Sequence, residues 1–201
     1  MKEKIVADII ELEWEMFAAV QNRGGKAPCQ EDRHTFNLTR SSQAEVWPEE
    51  LLKSYHDDLA QAKACQRNLM TEKYARMMES TFPEEYHSFA GSLPLVDSST
   101  LALIEKIVEI HLQWKYELAA AYPKLNKRGR VISSKEDSRS DTSFETYLRG
   151  ELSTYSPETV QHYYHMSEAY NSRGENLEKI YLGNVFKKFG FASLEEAEKR
   201  S

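Results

Sequence analysis

The chain has 201 residues, 40% of them hydrophobic and 29% charged, which is enough for one sizeable core and marginal for two. A net charge of −6 offers no basic field to nucleic acid or to an anionic lipid surface. No apolar run approaches the roughly 20 residues that cross a bilayer, so neither nucleic acid nor membrane is expected as a partner.

The first helix is predicted over about residues 2–22. Acids interrupt its apolar run, "MKEKIVADIIELEWEMF", as a signal peptide would not allow. The two cysteines, Cys29 and Cys65, make no disulfide framework, and the expectation is a reduced, cytoplasmic protein. A loop runs to about residue 31, and a weak helix is predicted over 32–45. Trp47-Pro48 starts a third helix, with proline tolerated in the first turn. "NLMTEKYARMMEST" makes a fourth, and Pro83 opens a short fifth. "DSST" caps a strong helix over about 99–121, which Pro123 stops. Residues 124–143 are polar with no apolar face and read as a mobile excursion within the domain. Helices resume at "FETYLRGEL", at "PETVQHYYHMSEAY", at "ENLEKIYLGNVFKKFG" and at "SLEEAEKR", where Ser193 and Glu196 have the spacing of a capping box. Period-two alternation is almost absent. The fold class is all-α, a single compact domain over 1–201 of roughly eight to ten helices.

"NRGGKAPCQ", residues 22–30, invites comparison with a phosphate loop. A Walker-type loop needs a strand before it and a hydroxyl after its lysine, whereas here a helix precedes the glycines and Ala27 follows Lys26. A helix C-terminus closed by a left-handed glycine accounts for the pair. Asn22, Cys29 and Gln30 are left over, and they are candidates for the mouth of a pocket. Cys29 with His34 has no second pair to complete a metal site. "EEYH" at 84–87 has the Glu-x-x-His spacing once, where a di-iron site needs it on two helices. No metal and no cofactor is expected.

Several polar residues fall on apolar faces. At about 100° per residue, Ile5, Ile9, Met16 and Val20 share an arc of the first helix that also contains Glu13. A carboxylate buried there must be paired, protonated or metal-bound. Lys73, His111, Lys115 and Arg149 are its candidate partners, His111 foremost. In the helix at 99–121, His111 sits within the stripe of Ile104, Ile107, Val108, Trp114 and Leu118, with Lys115 one turn on. Lys73 borders the apolar side of its helix, which includes Tyr74. Tyr147, Arg149 and Glu151 crowd a helix next to the polar excursion, where Arg149 suits an anionic group or a surface ion pair.

"EWEMF", "NRGGKAPCQ", "NLMTEKYARMM", "HLQWKYE", "TSFETYLRGELSTYS" and "SLEEAE" together resemble the bacterial family catalogued as domain of unknown function 4125, across nearly the whole chain. The resemblance implies a compact bacterial domain, in some proteins beside a nucleotidyltransferase-like domain. It implies no activity and no functional residues. The acidic pair and glycine-serine turn of a nucleotidyltransferase are themselves absent from this chain.

Three readings follow. The first is a small-molecule-binding protein with a polar pocket between helices, of which an enzyme of unassigned reaction type is one form. The second is a helical interaction module serving a protein partner such as a nucleotidyltransferase-like domain; it predicts a contiguous exposed apolar patch. The third is a structural bundle whose inward polar groups close on one another. Whether Glu13, Lys73 and His111 converge on a cavity or pair separately discriminates among them.

Overall fold

The computed structural model describes residues 2–22 and 25–201, so Gly24 of the glycine pair lies outside the described residues. Eleven α-helices and three short 3-10 turns make up the fold, and no strand occurs among the described residues. The helices are α1 (Lys2–Ala18), α2 (Arg33–Val46), α3 (Glu49–Ala64), α4 (Leu69–Thr81), α5 (Pro83–Phe89) and α6 (Ser98–Ala121). They continue with α7 (Pro123–Asn126), α8 (Phe144–Leu152), α9 (Pro157–Ser172), α10 (Leu177–Lys188) and α11 (Leu194–Arg200). None of the described helices is long and apolar enough to cross a membrane.

Their boundaries follow local chemistry. Asp32, Asn68, Asp97, Ser143, Ser156, Asn176 and Ser193 each accept a hydrogen bond from a backbone N–H in the first turn of the helix they open. The Glu196 carboxylate reaches back to Ala192 N, one residue short of the expected capping box. α1 stops at Ala18, earlier than its apolar period predicts. The reason is Gln30, whose side-chain amide donates to the carbonyls of Phe17 and Val20 at 2.9 Å each and closes the helix from across the loop.

α6 runs through the middle of the molecule and packs most extensively on α9. α1 and α9 both pack on α3, α4 packs on α8, and α10 packs on both α2 and α6. Leu51, Leu52, Leu59, Ile104, Ile107, Leu152 and Val160 form the fully buried centre. The α4–α8 contact is close at Gly150, where a Cβ would stand 3.1 Å from the Lys73 carbonyl oxygen and 3.1 Å from Met77 Cγ.

The segment 124–143 is less uniformly polar in its packing than its sequence suggests. Leu125 and Ile132 are buried. Phe144 N and Glu145 N donate to the carbonyls of Val131 and Ile132 at 2.8 and 3.1 Å. The Asp137 carboxylate accepts from Ser143 N at 2.6 Å, and also from the Ser80 and Thr146 hydroxyls. Residues 138–141 are exposed.

Candidate functional site

A cavity of about 530 Å³ lies among α2, α4, α6, α8 and α10, with α7, the turn at Cys29 and the stretch around Arg130 at its margin. Each wall is the inward face of one helix: Arg40 and Gln43 from α2, Lys73 and Tyr74 from α4, His111 and Lys115 from α6. α8 contributes Phe144, Tyr147, Leu148 and Glu151, an i, i+3, i+4, i+7 stripe. α10 contributes Leu177, Glu178, Tyr181 and Leu182 with the same spacing of three and four.

Two charge networks stand in these walls. In the first, Lys73 Nζ donates to Glu151 Oε2 at 2.6 Å and Tyr155 donates to Glu151 Oε1 at 2.8 Å. Arg40 Nη1 is 3.7 Å from Glu151 Oε1, and the same guanidinium holds Glu13 with two N–H groups, the Nε contact at 2.7 Å. Tyr55 completes the set by donating to Glu13 Oε1 at 2.7 Å. Lys73, Glu151, Arg40 and Glu13 thus alternate in sign along a buried chain. Burial weakens the charged form of Lys73, but Glu151 more than offsets it and the ammonium pKa rises. Burial likewise opposes the Glu151 carboxylate, and Lys73 and Arg40 outweigh it, holding its pKa at about 2. Arg40 is raised against burial by Glu13 and Glu151. Tyr55 and Tyr155 are pushed well up, by burial first and then by the carboxylates they face. Lys73, Arg40 and Glu151 are therefore charged at neutral pH, and Tyr55 and Tyr155 are neutral.

The second network centres on His111. Its Nδ1 is 2.8 Å from Glu178 Oε1, and its Nε2 is 3.1 Å from Ser167 Oγ. Lys115 Nζ lies 3.6 Å from the other Glu178 oxygen. Burial raises the Glu178 pKa, and the His111 hydrogen bond and Lys115 bring it below the ordinary carboxylate value. Serine, histidine and glutamate in this order have the connectivity of a nucleophilic triad. Two facts argue against that chemistry. Ser167 is fully buried and takes no part in lining the cavity, and its hydroxyl donates to Tyr163 O at 3.0 Å. The Ser167 hydroxyl is thus enclosed between Tyr163 O and the His111 ring, and it presents no accessible nucleophile.

The candidates read from the sequence separate clearly. Cys29, Lys73, Tyr74, His111, Lys115 and Tyr147 line the one cavity. Glu13 is fully buried, and its partners are Arg40 and Tyr55, which replace the expected Lys73, His111, Lys115 and Arg149. It reaches the cavity only through Arg40. Asn22 donates to the Gln30 side-chain oxygen, which also accepts from Ala27 N at 2.8 Å, so these two residues hold the loop together and do not line the cavity. Arg149 faces away, engaged by Glu105 at 2.8 and 2.9 Å and by Glu145 at 3.1 Å. Cys29 is exposed. Sequence reasoning missed Arg40, Glu178, Arg130 and Tyr181. The stripe of α8 carries the signal that would have separated inward Glu151 from outward Arg149.

The polar groups facing the cavity are unevenly engaged. Among the described residues, the hydroxyls of Tyr74, Tyr147 and Tyr181 have no hydrogen-bond partner, although all three rings line the space. Burial, with Tyr147 next to it, pushes the Tyr74 hydroxyl up to about 12, and burial raises Tyr181 as well. Both are neutral donors at physiological pH. No curated protein and no solved structure matches the chain. A family model does match residues 3–199, and on that match the chain belongs to the family described as protein of unknown function DUF4125.

Proposed function

We propose that this protein binds a small molecule in the cavity walled by α2, α4, α6, α8 and α10. The observation that carries the reading is the set of tyrosine hydroxyls turned into one space without protein partners, beside charge networks that are themselves closed. The volume of about 530 Å³ falls within the roughly 300–1,000 Å³ of ordinary ligand sites. The wall chemistry favours binding over covalent catalysis: Lys73 is held protonated, Tyr74 is held neutral, and Ser167 is enclosed.

A thermal-shift screen of metabolites, nucleotides and metal ions tests the reading. A ligand at a hundred times its dissociation constant stabilises the folded state by about 2.7 kcal/mol. That stabilisation should disappear in Leu182→Trp, which fills the cavity from α10. Stabilisers that act equally on the filled variant bind elsewhere and would count against the cavity.

A further inference from the structure

The α8 wall indicates which chemical class of ligand the cavity accepts. Three cations from three other segments lie over its two aromatic rings. Lys115 Nζ is 4.7 Å from the centroid of Phe144. The Arg130 guanidinium is 4.6 Å from the centroid of Tyr147, and Lys73 Nζ is 3.5 Å from the same ring. Phe144 and Tyr147 are three apart on one helix, so their Cβ atoms are about 5–6 Å from each other. The cations are thereby gathered over less than two turns of α8.

Their hydrogen-bonding capacity is unequally used. Lys73 is engaged by Glu151 at 2.6 Å. Arg130 gives one N–H to Thr142 O at 3.0 Å and has no carboxylate within ion-pair distance among the described residues. Lys115 has only Glu178 at 3.6 Å, beyond a normal hydrogen bond. Each carboxylate of the cavity already accepts a hydrogen bond: Glu151 from Lys73 and Tyr155, Glu178 from His111, Asp32 from Thr35 N. Arg130 and Lys115 therefore keep N–H donors to offer, and the tyrosine hydroxyls can donate beside them. Much of the rest of the lining is apolar, with Trp47, Met70, Leu118 and Leu182 among it.

We propose, resting on the small-molecule reading above, that the ligand is a largely apolar molecule carrying one acid group, whose oxygens meet Arg130 and Lys115 above the Phe144–Tyr147 face of α8. A guanidinium and an ammonium recognise carboxylate and phosphate oxygens alike through charge-assisted hydrogen bonds. The apolar body occupies the space between Leu148 and α10.

Two fluorescent probes with one ring skeleton test this on the intact protein: anilinonaphthalenesulfonate, which carries an acid group, and phenylnaphthylamine, which does not. The sulfonate should bind at least about tenfold more tightly. In Arg130→Gln/Lys115→Met that preference should collapse while phenylnaphthylamine binding is retained. Both substituted side chains are at least partly exposed, and an unchanged circular dichroism spectrum checks that the variant is folded. Displacement of the sulfonate by naphthoate or by naphthyl phosphate, but not by naphthamide, supports the proposal and shows which acid is preferred. Equal affinity for the two probes, both lost on Leu182→Trp, would overturn the acid requirement and leave the cavity as a binding site. A preference that survives the double variant would place the acid elsewhere and overturn the proposal. Failure of both probes to bind would remove this proposal and the small-molecule reading together.

Discussion

Lys73 and Glu151 meet at 2.6 Å across the contact between α4 and α8, and both side chains are withdrawn from solvent, with 3% and 8% exposure. The pair is possible because Gly150, directly before Glu151, lets the α8 backbone approach Lys73 O. A buried ion pair is a weak contributor to net stability, but removing one partner leaves the other charge uncompensated. Lys73→Met should therefore cost about 3–5 kcal/mol by urea denaturation, and Lys73→Met/Glu151→Leu should recover much of that loss. An additive double variant would show that the two residues are energetically independent.

Glu151 also predicts a pH dependence. Its folded pKa, about 2, lies below its ordinary value of 4.5. A depressed carboxyl pKa contributes stability above the unfolded value, and that contribution is lost as protons bind the unfolded chain more readily than the folded one. Wild-type stability should thus be flat in this component above about pH 5 and fall between about pH 4.5 and pH 2. Glu151→Gln should be less stable at neutral pH and show a shallower decline over that window. Urea midpoints measured every half pH unit would compare them, and parallel curves for the two proteins would contradict the assignment.

Gly150→Ala should destabilise the domain although alanine is the better helix former. The new methyl group would meet Lys73 O and Met77 Cγ at 3.1 Å, so α4 or α8 must shift. Overpacking of this kind costs about 1–3 kcal/mol. A melting temperature equal to or above that of the wild type would show that the two helices separate freely.

Ser167 should not behave as a nucleophile. A fluorophosphonate reagent should leave it unlabelled in the folded protein, because its hydroxyl is buried and donates to Tyr163 O. Ser167→Ala should cost about 0.5–1.5 kcal/mol, the worth of a typical hydrogen bond. Stoichiometric labelling lost in that variant would mean that the Ser167–His111–Glu178 set is reachable and active.

Within 124–143 the first proteolytic cut is expected among residues 138–142. The amides of Phe144 and Glu145, bonded to Val131 O and Ile132 O, should exchange more slowly. Hydrogen exchange resolved by residue distinguishes the two parts, and uniform exchange from 131 to 145 would contradict the anchoring role of Ile132 and Asp137.

Helical periodicity made the inward polar residues of the strongly amphipathic helices legible. Glu13 among Ile9, Met16 and Val20, and His111 among Ile107, Val108 and Trp114, stand out because their neighbours fix which way the helix faces. Arg40 did not stand out. Its helix, "RHTFNLTRSSQAEV", is polar enough that no apolar stripe marks the inner face, and a long arginine stem can carry its charge inward from a position that reads as surface. Partner choice was beyond a single sequence for a different reason. Glu13 meets Arg40 rather than His111 because of how α1 lies on α2 and α3, and that docking depends on packing between elements, which periodicity within one element does not encode. α10 hid Glu178 similarly, since a glutamate in a first helical turn is ordinary there.

Because Glu178, Tyr181 and Leu182 of α10 form one wall of the cavity and α10 also packs on α2, the site joins the two ends of the chain. During synthesis, a nascent polypeptide that has reached only residue 176 lacks the carboxylate that faces His111 and the surface that closes over Arg40. Such a chain can assemble the α1–α3 and α4–α8 contacts but lacks one wall of the cavity. The cavity therefore closes only once α10 has docked on α2 and α6, after the α1–α3 and α4–α8 contacts can already have formed.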